Sequence, residues 1–254
     1  MKAFAVIPAR MGSTRFPGKP LAPLLGLPMV EHVRCRVALS DAVDDVLVAT
    51  CDGDILDVVE KAGGVAVMTS DAHERCTDRV AEAMEGFAGD VVINIQGDEP
   101  LVRPEMLNSV IQVLASDPDL QCANLVSKIR SDDEFEDPNT VKVVQDPSGN
   151  ILYMSREPIP SRHKAGSLDF PRIRQTGIIA FRSSFLKVFQ ELAQTPLECI
   201  ESVDMMRAIE HGYQVRGVLT DHRLLGVDLP GDVPRVEALL ADDDITGTYL
   251  NCAS

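Results

Sequence analysis

The sequence predicts an α/β fold of the Rossmann-like, doubly wound type, built on a mainly parallel sheet. Short apolar runs rich in β-branched residues, such as VLVAT at 46–50 and VVINI at 91–95, alternate with longer amphipathic stretches in the N-terminal half. This alternation is typical of βαβ units, whose helices cover both faces of a parallel sheet. In such sheets ligands bind beyond the carboxyl ends of the strands, so we expect the functional loops after residue 8, around 69–77 and after residue 96 to lie at one edge.

The individual elements follow from periodicity and turn signals. In the first half, strands are predicted at residues 4–8, 45–50, 65–68 and 91–95, and helices at 29–39, 54–62, 78–84 and 104–114. Beyond residue 117, strands are predicted at 121–127, 140–145, 150–154, 177–181 and 214–219, and helices at 185–192, 197–211 and 230–240. Residues 130–139 are predicted as a solvated acidic loop and 158–171 as an irregular, mobile loop. We expect one domain over residues 1–245, with a β-rich excursion at about 120–170 and a C-terminal tail at 246–254.

Composition and charge exclude several classes of protein. Of the 254 residues, 45% are hydrophobic and 25% are charged, which is ordinary for a globular protein and excludes collagen-like, coiled-coil and disordered chains. The net charge of −15 repels polyphosphate backbones, so we expect no nucleic-acid partner. Any phosphate-bearing ligand must be held by a local basic pocket or through a metal.

The cysteines and apolar runs favour a cytoplasmic location. The six cysteines are scattered without a CxxC pair, so the sequence predicts neither a zinc site nor a disulfide framework. The apolar run before Arg10 is too short for a signal peptide, and no later run reaches the length of a membrane span. We expect a cytoplasmic protein without membrane insertion.

A cation-rich loop directly follows the first predicted strand. Residues 8–20 read PARMGSTRFPGKP and combine the cations Arg10, Arg15 and Lys19 with small, flexible residues. Such a loop can bring backbone N–H groups and positive charge against a polyphosphate. It is neither a dinucleotide fingerprint nor a P-loop, because the glycine spacing differs and Lys19 is followed by Pro20. The alternative is a solvated loop with surface cations.

Asp98 and Asp228 are the candidate carboxylates. Asp98 follows a predicted strand, where a carboxylate suits Mg²⁺ held between protein oxygens and substrate phosphates. The alternative for Asp98 is a helix cap or a turn residue, and Asp228, which precedes the closing helix, reads equally well as a cap.

Several motifs together resemble the CMP-Kdo synthetase family, the 3-deoxy-manno-octulosonate cytidylyltransferases of the nucleotide-diphospho-sugar transferase superfamily. The motifs are PAR with GSTRFPGKPL in the first loop, NIQGDEP at 94–100, NTVKVV at 139–144, YMSR at 153–156 followed by Ile159 and Pro160, LECIE at 197–201, and GVD at 226–228. They run in order from residue 3 to about residue 240. The resemblance implies a magnesium-dependent nucleotidyltransferase that forms a homodimer through the β-rich excursion and serves lipopolysaccharide or capsule synthesis.

The resemblance also implies a role for each candidate residue. Asp98 and Asp228 would hold Mg²⁺ and, with Arg10 and Lys19, form the catalytic set. The nucleotide would be bound by Pro8, Ala9, Arg10, Gly12, Ser13, Lys19, Thr77, Arg79 and Gln96. The sugar acid would be bound by Arg15, Gln96, Arg156, Gln175, Glu201 and Asp204.

The chain departs from the family pattern at residues expected to bind each of the two substrates. Arg75 and Cys76 stand where the family has a Ser-Gly pair, and Gln175 and Ile179 replace a His and a Tyr. For Arg79 the alternative role is an i,i+3 ion pair with Glu82 on a helix surface.

The implied reaction is CTP + 3-deoxy-manno-octulosonate (Kdo) → CMP-Kdo + pyrophosphate. In this reaction the anomeric hydroxyl attacks the α-phosphorus in line, and positioning and electrostatics supply most of the acceleration. One alternative is a related enzyme for another acidic sugar or another nucleotide. A second is a non-catalytic nucleotide-binding regulator, against which the retention of the four catalytic-set residues argues.

Overall fold

A mixed sheet forms the centre of the fold, and all but one of its main strands run parallel. The structure is a computed structural model that describes residues 1–73, 75–162 and 170–250. Its strands are β1 (Ala3–Ala9), β2 (Pro23–Leu24), β3 (Leu27–Pro28), β4 (Asp45–Thr50), β5 (Val65–Met68), β6 (Val91–Ile95), β7 (Cys122–Lys128), β8 (Lys142–Gln145), β9 (Ile151–Ser155), β10 (Ile173–Arg182) and β11 (Val215–Thr220).

Helices cover the two faces of this sheet. They are α1 (Met29–Val37), α2 (Gly53–Lys61), α3 (Cys76–Ala83), α4 (Pro104–Ser116), α5 (Asp132–Glu136), α6 (Ser183–Glu191), α7 (Pro196–Glu201), α8 (Met205–Glu210), α9 (Val233–Ala241) and α10 (Thr246–Leu250). Short 3-10 helices lie at Lys19–Leu21 and Pro230–Asp232. Within the described ranges, no helix combines the length and the apolar character that a bilayer crossing requires.

The strand order places the functional loops at one edge. The order is β5-β4-β1-β6-β10-β7-β11, and β10 is antiparallel to both of its neighbours. Because β10 is reversed, its first residues lie beside the carboxyl ends of the parallel strands. The chain leaves β1 for β4 on one side and later returns to β6 on the other, which is the kind of switch point where ligands bind in open α/β sheets.

The core has two layers because alternate residues of β1 face opposite sides. Ala5 and Ile7 pack in the layer that contains α1, α4 and α9. Phe4 and Val6 pack in the layer that contains α3, α6 and α8. All seven β1 residues are buried, as the β-branched pattern of a doubly covered sheet predicts. The predicted fold class is therefore confirmed.

The structure corrects two of the predicted elements. The acidic stretch 130–139 contains the short helix α5, which Ser131 caps by accepting a hydrogen bond from the backbone N–H of Glu134 at 3.1 Å. The single helix predicted at 197–211 is instead α7 and α8, because Ser202 adopts a left-handed conformation with φ 53° that ends α7.

The predicted excursion and tail also differ from the structure. β7 lies inside the main sheet between β10 and β11, so only the β8–β9 hairpin extends away from the main order. Residues 246–250 form α10, whose Tyr249 is buried. Residues 163–169 of the predicted mobile loop and 251–254 of the predicted tail lie outside the described residues.

Candidate active site

The loop after β1 is fixed by its own hydrogen bonds. The carbonyl of Met11 accepts from the backbone N–H of Ser13 at 2.8 Å and of Gly18 at 3.2 Å. Gly18 has φ 73°, a conformation that glycine adopts without a Cβ penalty, and it leads directly into the 3-10 helix that begins at Lys19. Gly12 and Ser13 lie in this loop, and Arg10 is exposed at its start. The loop therefore presents its cations from an ordered backbone.

Two cations of this loop contact the two candidate carboxylates. Lys19 Nζ lies 2.5 Å from Asp98 Oδ2, and Arg15 Nη2 lies 2.9 Å from Asp228 Oδ1. The backbone N–H of Val227 donates to the carbonyl of Asp98 at 3.0 Å, so the two aspartate loops pack directly against each other. The two carboxylates and the cationic loop thus meet in one place.

The helix-cap interpretation is wrong for both aspartates. α4 begins at Pro104 with Arg103 at its N-cap, so Asp98 lies outside that helix end. The backbone N–H groups of Asp228 and Leu229 are instead accepted by the side chain of Asp232, at 3.0 and 2.8 Å. Both candidate carboxylates therefore remain available to other partners.

A cavity of about 750 Å³ lies beyond the carboxyl ends of β6, β7 and β11. Asp98, Asp228, Arg15 and Gln175 are among the residues that line it. The other charged residues of its wall are Glu99, Lys128, Arg130, Asp133, Glu134, Asp137, Arg174, Arg223, Asp232 and Arg235. Because its wall carries charges of both signs, the cavity suits a polar ligand better than an apolar one.

Glu99 is a buried member of this wall that the sequence reasoning did not identify. Its Oε1 accepts from the backbone N–H of Gly177 at 3.1 Å, and its Oε2 has no hydrogen-bond partner among the described residues. Burial raises the pKa of Glu99 to about 7; the charge of Arg174 opposes this, and Asp98 adds to it. The NIQGDEP motif contains Glu99, but a turn motif carries no signal of how deeply each side chain is buried.

None of the predicted nucleotide-binding residues, all of which lie within the described ranges, is among those that line this cavity. Cys76 Sγ donates to Gln96 Oε1 at 3.4 Å. Burial raises the pKa of the Cys76 thiol to about 11; Asp204 and Asp98 add to this rise, and Arg10 opposes it. These charges therefore surround the start of α3, where Thr77 Oγ1 donates to Asp204 Oδ2 at 3.0 Å.

Arg79 points inward and supports the loop after β5. Its Nη1 donates to Thr69 Oγ1 at 2.5 Å, and its side chain is almost fully buried. Glu82 instead accepts from the backbone N–H of Ser70 and contacts His73. The i,i+3 pair of Arg79 with Glu82 is therefore wrong. Pro8 and Ala9 are buried at the end of β1.

The predicted sugar-binding residues divide into two groups. Arg15 and Gln175 line the cavity, where Gln175 Nε2 donates to Asn124 Oδ1 at 2.9 Å. Arg156 and Glu201 instead bond to each other, since the backbone N–H of Arg156 donates to Glu201 Oε2 and its Nε donates to the Glu201 carbonyl.

Glu201 is further occupied by hydroxyl groups. Its Oε1 accepts from Tyr153 Oη at 3.0 Å and from Ser155 Oγ at 2.9 Å. Asp204 lies beside Thr77, one of the predicted nucleotide-binding residues, and burial raises the pKa of Asp204. The structure therefore does not bring Arg156, Glu201 and Asp204 to the wall of the cavity.

Comparisons with known proteins show which family the chain belongs to. The family model described as "Cytidylyltransferase" matches residues 4–220. A 3-deoxy-manno-octulosonate cytidylyltransferase of Geobacter metallireducens is 41% identical over 93% of this chain and 96% of its own length. One of Desulfosudis oleivorans is 43% identical over 95% of this chain and 98% of its own length. The chain belongs to the 3-deoxy-manno-octulosonate cytidylyltransferase family.

Solved structures agree with this family assignment. A CMP:2-keto-3-deoxy-manno-octonic acid synthetase complexed with CTP matches with a TM-score of 0.89 and 38% identity, covering 95% of this chain and 99% of that one. A cytidylyltransferase from Leptospira borgpetersenii has a TM-score of 0.65 at 17% identity, over 96% of this chain and 88% of that one, and shares the fold.

Asp98 and Asp228 remain the candidate metal ligands of this site. Among the described residues, no three or more His, Cys, Asp or Glu side chains cluster as a ready metal site. Each aspartate gives one oxygen to a loop cation, while its other oxygen, Asp98 Oδ1 or Asp228 Oδ2, accepts no hydrogen bond from the described chain. Free carboxylate oxygens are the donors that Mg²⁺ prefers.

Proposed function

We propose that the protein transfers the cytidylyl group of CTP to 3-deoxy-manno-octulosonate (Kdo) and releases pyrophosphate. The observation that carries this proposal is the meeting of Lys19 with Asp98 and of Arg15 with Asp228, because Arg15 and both aspartates line a charged cavity. The cation loop suits the triphosphate, and the cavity suits a sugar acid. The relatives of this chain are named for this reaction.

The chain's own residues serve mainly to position and neutralise the reactants. Arg10 and Lys19 would neutralise the triphosphate, with Arg15 nearer the sugar carboxylate. The anomeric hydroxyl of the sugar acid forms the new bond to the α-phosphorus and gives up its proton to solvent, while the bond to the β-phosphate oxygen breaks and pyrophosphate leaves with the electron pair. Because charge develops on oxygens that these fixed groups face, electrostatic stabilisation should supply much of the acceleration.

We further propose that Asp98 and Asp228 hold Mg²⁺. When bound there, the ion would neutralise charge on the α-phosphate and lower the pKa of the attacking hydroxyl, so that no separate protein base is needed. Lys19 and Arg15 each leave one oxygen of these carboxylates free for this purpose.

Two residues at or near the cavity favour a second class of acceptor substrate. Gln175 lines the cavity where the family pattern has a His, and Ile179 is buried where the pattern has a Tyr. These replacements favour a related 2-keto-3-deoxy sugar acid as the alternative to Kdo.

Mass spectrometry of the products tests the proposal. The protein is incubated with CTP, Mg²⁺ and a panel of 2-keto-3-deoxy acids that includes Kdo, with ATP, GTP and UTP as nucleotide controls. We expect CMP-Kdo and pyrophosphate when Kdo is supplied with CTP, and no product when CTP is replaced by ATP, GTP or UTP. Product from a different acid would show that this acid, and not Kdo, is the acceptor. Absence of any nucleotide-sugar product would favour a non-catalytic regulator.

We also propose that the enzyme acts as a cytoplasmic homodimer. Leu152 of the β8–β9 hairpin is 56% exposed, an apolar side chain that a second copy would cover. Sedimentation velocity at micromolar concentration measures the oligomeric state, and a monomer throughout would contradict the dimer. The net charge of −15 argues against a nucleic-acid partner.

A further inference from the structure

Asn139 is an exposed residue of the cavity wall, and both the oxygen and the nitrogen of its side-chain amide form hydrogen bonds. Its backbone N–H and its Nδ2 donate to Asp137 Oδ1 at 2.8 and 3.0 Å. Its Oδ1 accepts from Arg15 Nη1 at 3.2 Å. Because the amide nitrogen is held by Asp137, the amide oxygen is directed towards the arginine.

The loop that carries Asn139 is held in place by hydrogen bonds from the buried side chain of Lys142. Lys142 is fully buried, and its Nζ donates to the carbonyls of Asp137 and Arg156, both at 2.7 Å. Arg156 Nη1 donates to the carbonyl of Pro138 at 3.0 Å. Asn139 is therefore presented from a loop that β8 and β9 hold in place.

Arg15 connects this loop to a candidate metal ligand. One guanidinium nitrogen reaches Asn139, and the other lies 2.9 Å from Asp228 Oδ1. The Arg15 side chain is 54% exposed, so without a second anchor it would sample many rotamers. The planar guanidinium links the two contacts rigidly, since its nitrogen atoms cannot rotate independently.

We propose that Asn139 is a positioning residue that directs Arg15 onto Asp228 and thereby orients the free carboxylate oxygen. The proposal rests on the proposed function, because it gives Asp228 a metal to hold. Groups that hydrogen-bond a ligating carboxylate fix its orientation, and their loss typically costs about 10- to 100-fold in metal affinity or activity. Asn139, Arg15 and Asp228 form such a relay across the cavity wall.

A double-mutant cycle in which Mn²⁺ affinity is measured tests the relay. Mn²⁺ binding is measured by EPR at fixed CTP, with a protein-free CTP blank, for the wild type, Asn139→Ala, Arg15→Gln and the double variant. We expect Asn139→Ala to weaken Mn²⁺ binding about tenfold. In the Arg15→Gln background the same change should have less than about a twofold effect, because Asn139 acts only through Arg15.

The chain offers a matched control in Asn150. Its Oδ1 accepts from Arg216 Nε at 2.8 Å, and Arg216 pairs with Asp117 at 3.7 Å, which repeats the amide, arginine and aspartate arrangement away from the cavity. Asn150→Ala should leave Mn²⁺ binding unchanged. Thermal unfolding of each variant checks that the change keeps the fold.

The outcomes separate the relay from the proposed reaction. Wild-type Mn²⁺ affinity in Asn139→Ala, independent losses in the double variant, or no Mn²⁺ binding by the wild type would each overturn the relay. If the wild type forms no CMP-sugar but the cycle shows coupling, the reaction assignment fails and the relay stands. If the wild type turns over and Asn139→Ala is neutral in both Mn²⁺ affinity and turnover, the relay alone fails.

Discussion

Asp98 is the residue at which we expect charge to matter most, because it contacts Lys19 of the cationic loop and also lines the charged cavity. We expect Asp98→Asn to reduce turnover by at least about a hundredfold, or about 2.7 kcal/mol, the scale of removing one pre-placed electrostatic group. Steady-state release of pyrophosphate measures this. Asp119→Asn, at the opposite edge of the sheet, is the control and should be neutral. Near-normal turnover of Asp98→Asn at saturating Mg²⁺ would contradict the metal assignment.

Cys76 lies beside the candidate active site yet should be an inert thiol. Burial raises its pKa to about 11, and only the thiolate is the reactive form. At pH 7.5 its alkylation by iodoacetamide should be slower by on the order of a hundredfold than that of an ordinary thiol with a pKa of about 8.5. Peptide mass spectrometry can compare it with the exposed Cys199. Equal labelling of both cysteines in the folded protein would show this prediction to be wrong, and labelling in urea is the control.

At the residue scale, the sequence predicted which side chains lie close together, but not which of them are already engaged in hydrogen bonds. The meeting of Lys19 with Asp98 follows from placing two loops at the ends of the neighbouring parallel strands β1 and β6. The engagement of Glu201 by Tyr153 and Ser155 depends on how α7 packs on β9, which no spacing in the sequence encodes. A motif identifies residue types, but the competing hydrogen bonds decide which of them face a ligand.

At the scale of elements, Lys142 fixes the β8–β9 hairpin to the cavity wall. Lys142→Met keeps the aliphatic stem but leaves two buried carbonyls without their donor, so we expect the free energy of unfolding to fall by about 2 to 4 kcal/mol. Urea denaturation measures this. The exposed Lys128→Met on β7 should change stability by less than about 0.5 kcal/mol. A loss in Lys142→Met no larger than in that control would contradict the anchoring role.

Local patterns predicted most elements but not their sheet partners. The pairing of β1 with β4 and of β4 with β5 was predictable, because these strands belong to successive βαβ units. β7 was assigned to an excursion because its partners, β10 and β11, lie about 50 and 90 residues further along the chain. The break between α7 and α8 was missed because Ser202, rather than a glycine, adopts the left-handed conformation.

At the scale of the whole molecule, the last helix holds the first. His32 of α1 is fully buried, and its Nδ1 lies 2.8 Å from Tyr249 Oη of α10. Tyr249→Ala should lower the free energy of unfolding by about 3 to 5 kcal/mol, and Tyr249→Phe by about 1 kcal/mol. Denaturant unfolding checks both values, while the KM for CTP should stay unchanged. Equal losses in the two variants would mean that the ring contributes nothing.

The reversed strand β10 also has a consequence for synthesis. The sheet β5-β4-β1-β6 can pair once residue 95 has left the ribosome, but the next partner of β6 ends only at residue 182. At translation speeds of about 5 to 20 residues per second, β6 waits roughly 4 to 17 s with an open edge. An open strand edge is a template for pairing with another chain. A ribosome that pauses between these two strands therefore leaves the nascent protein able to pair with its neighbour on the same messenger.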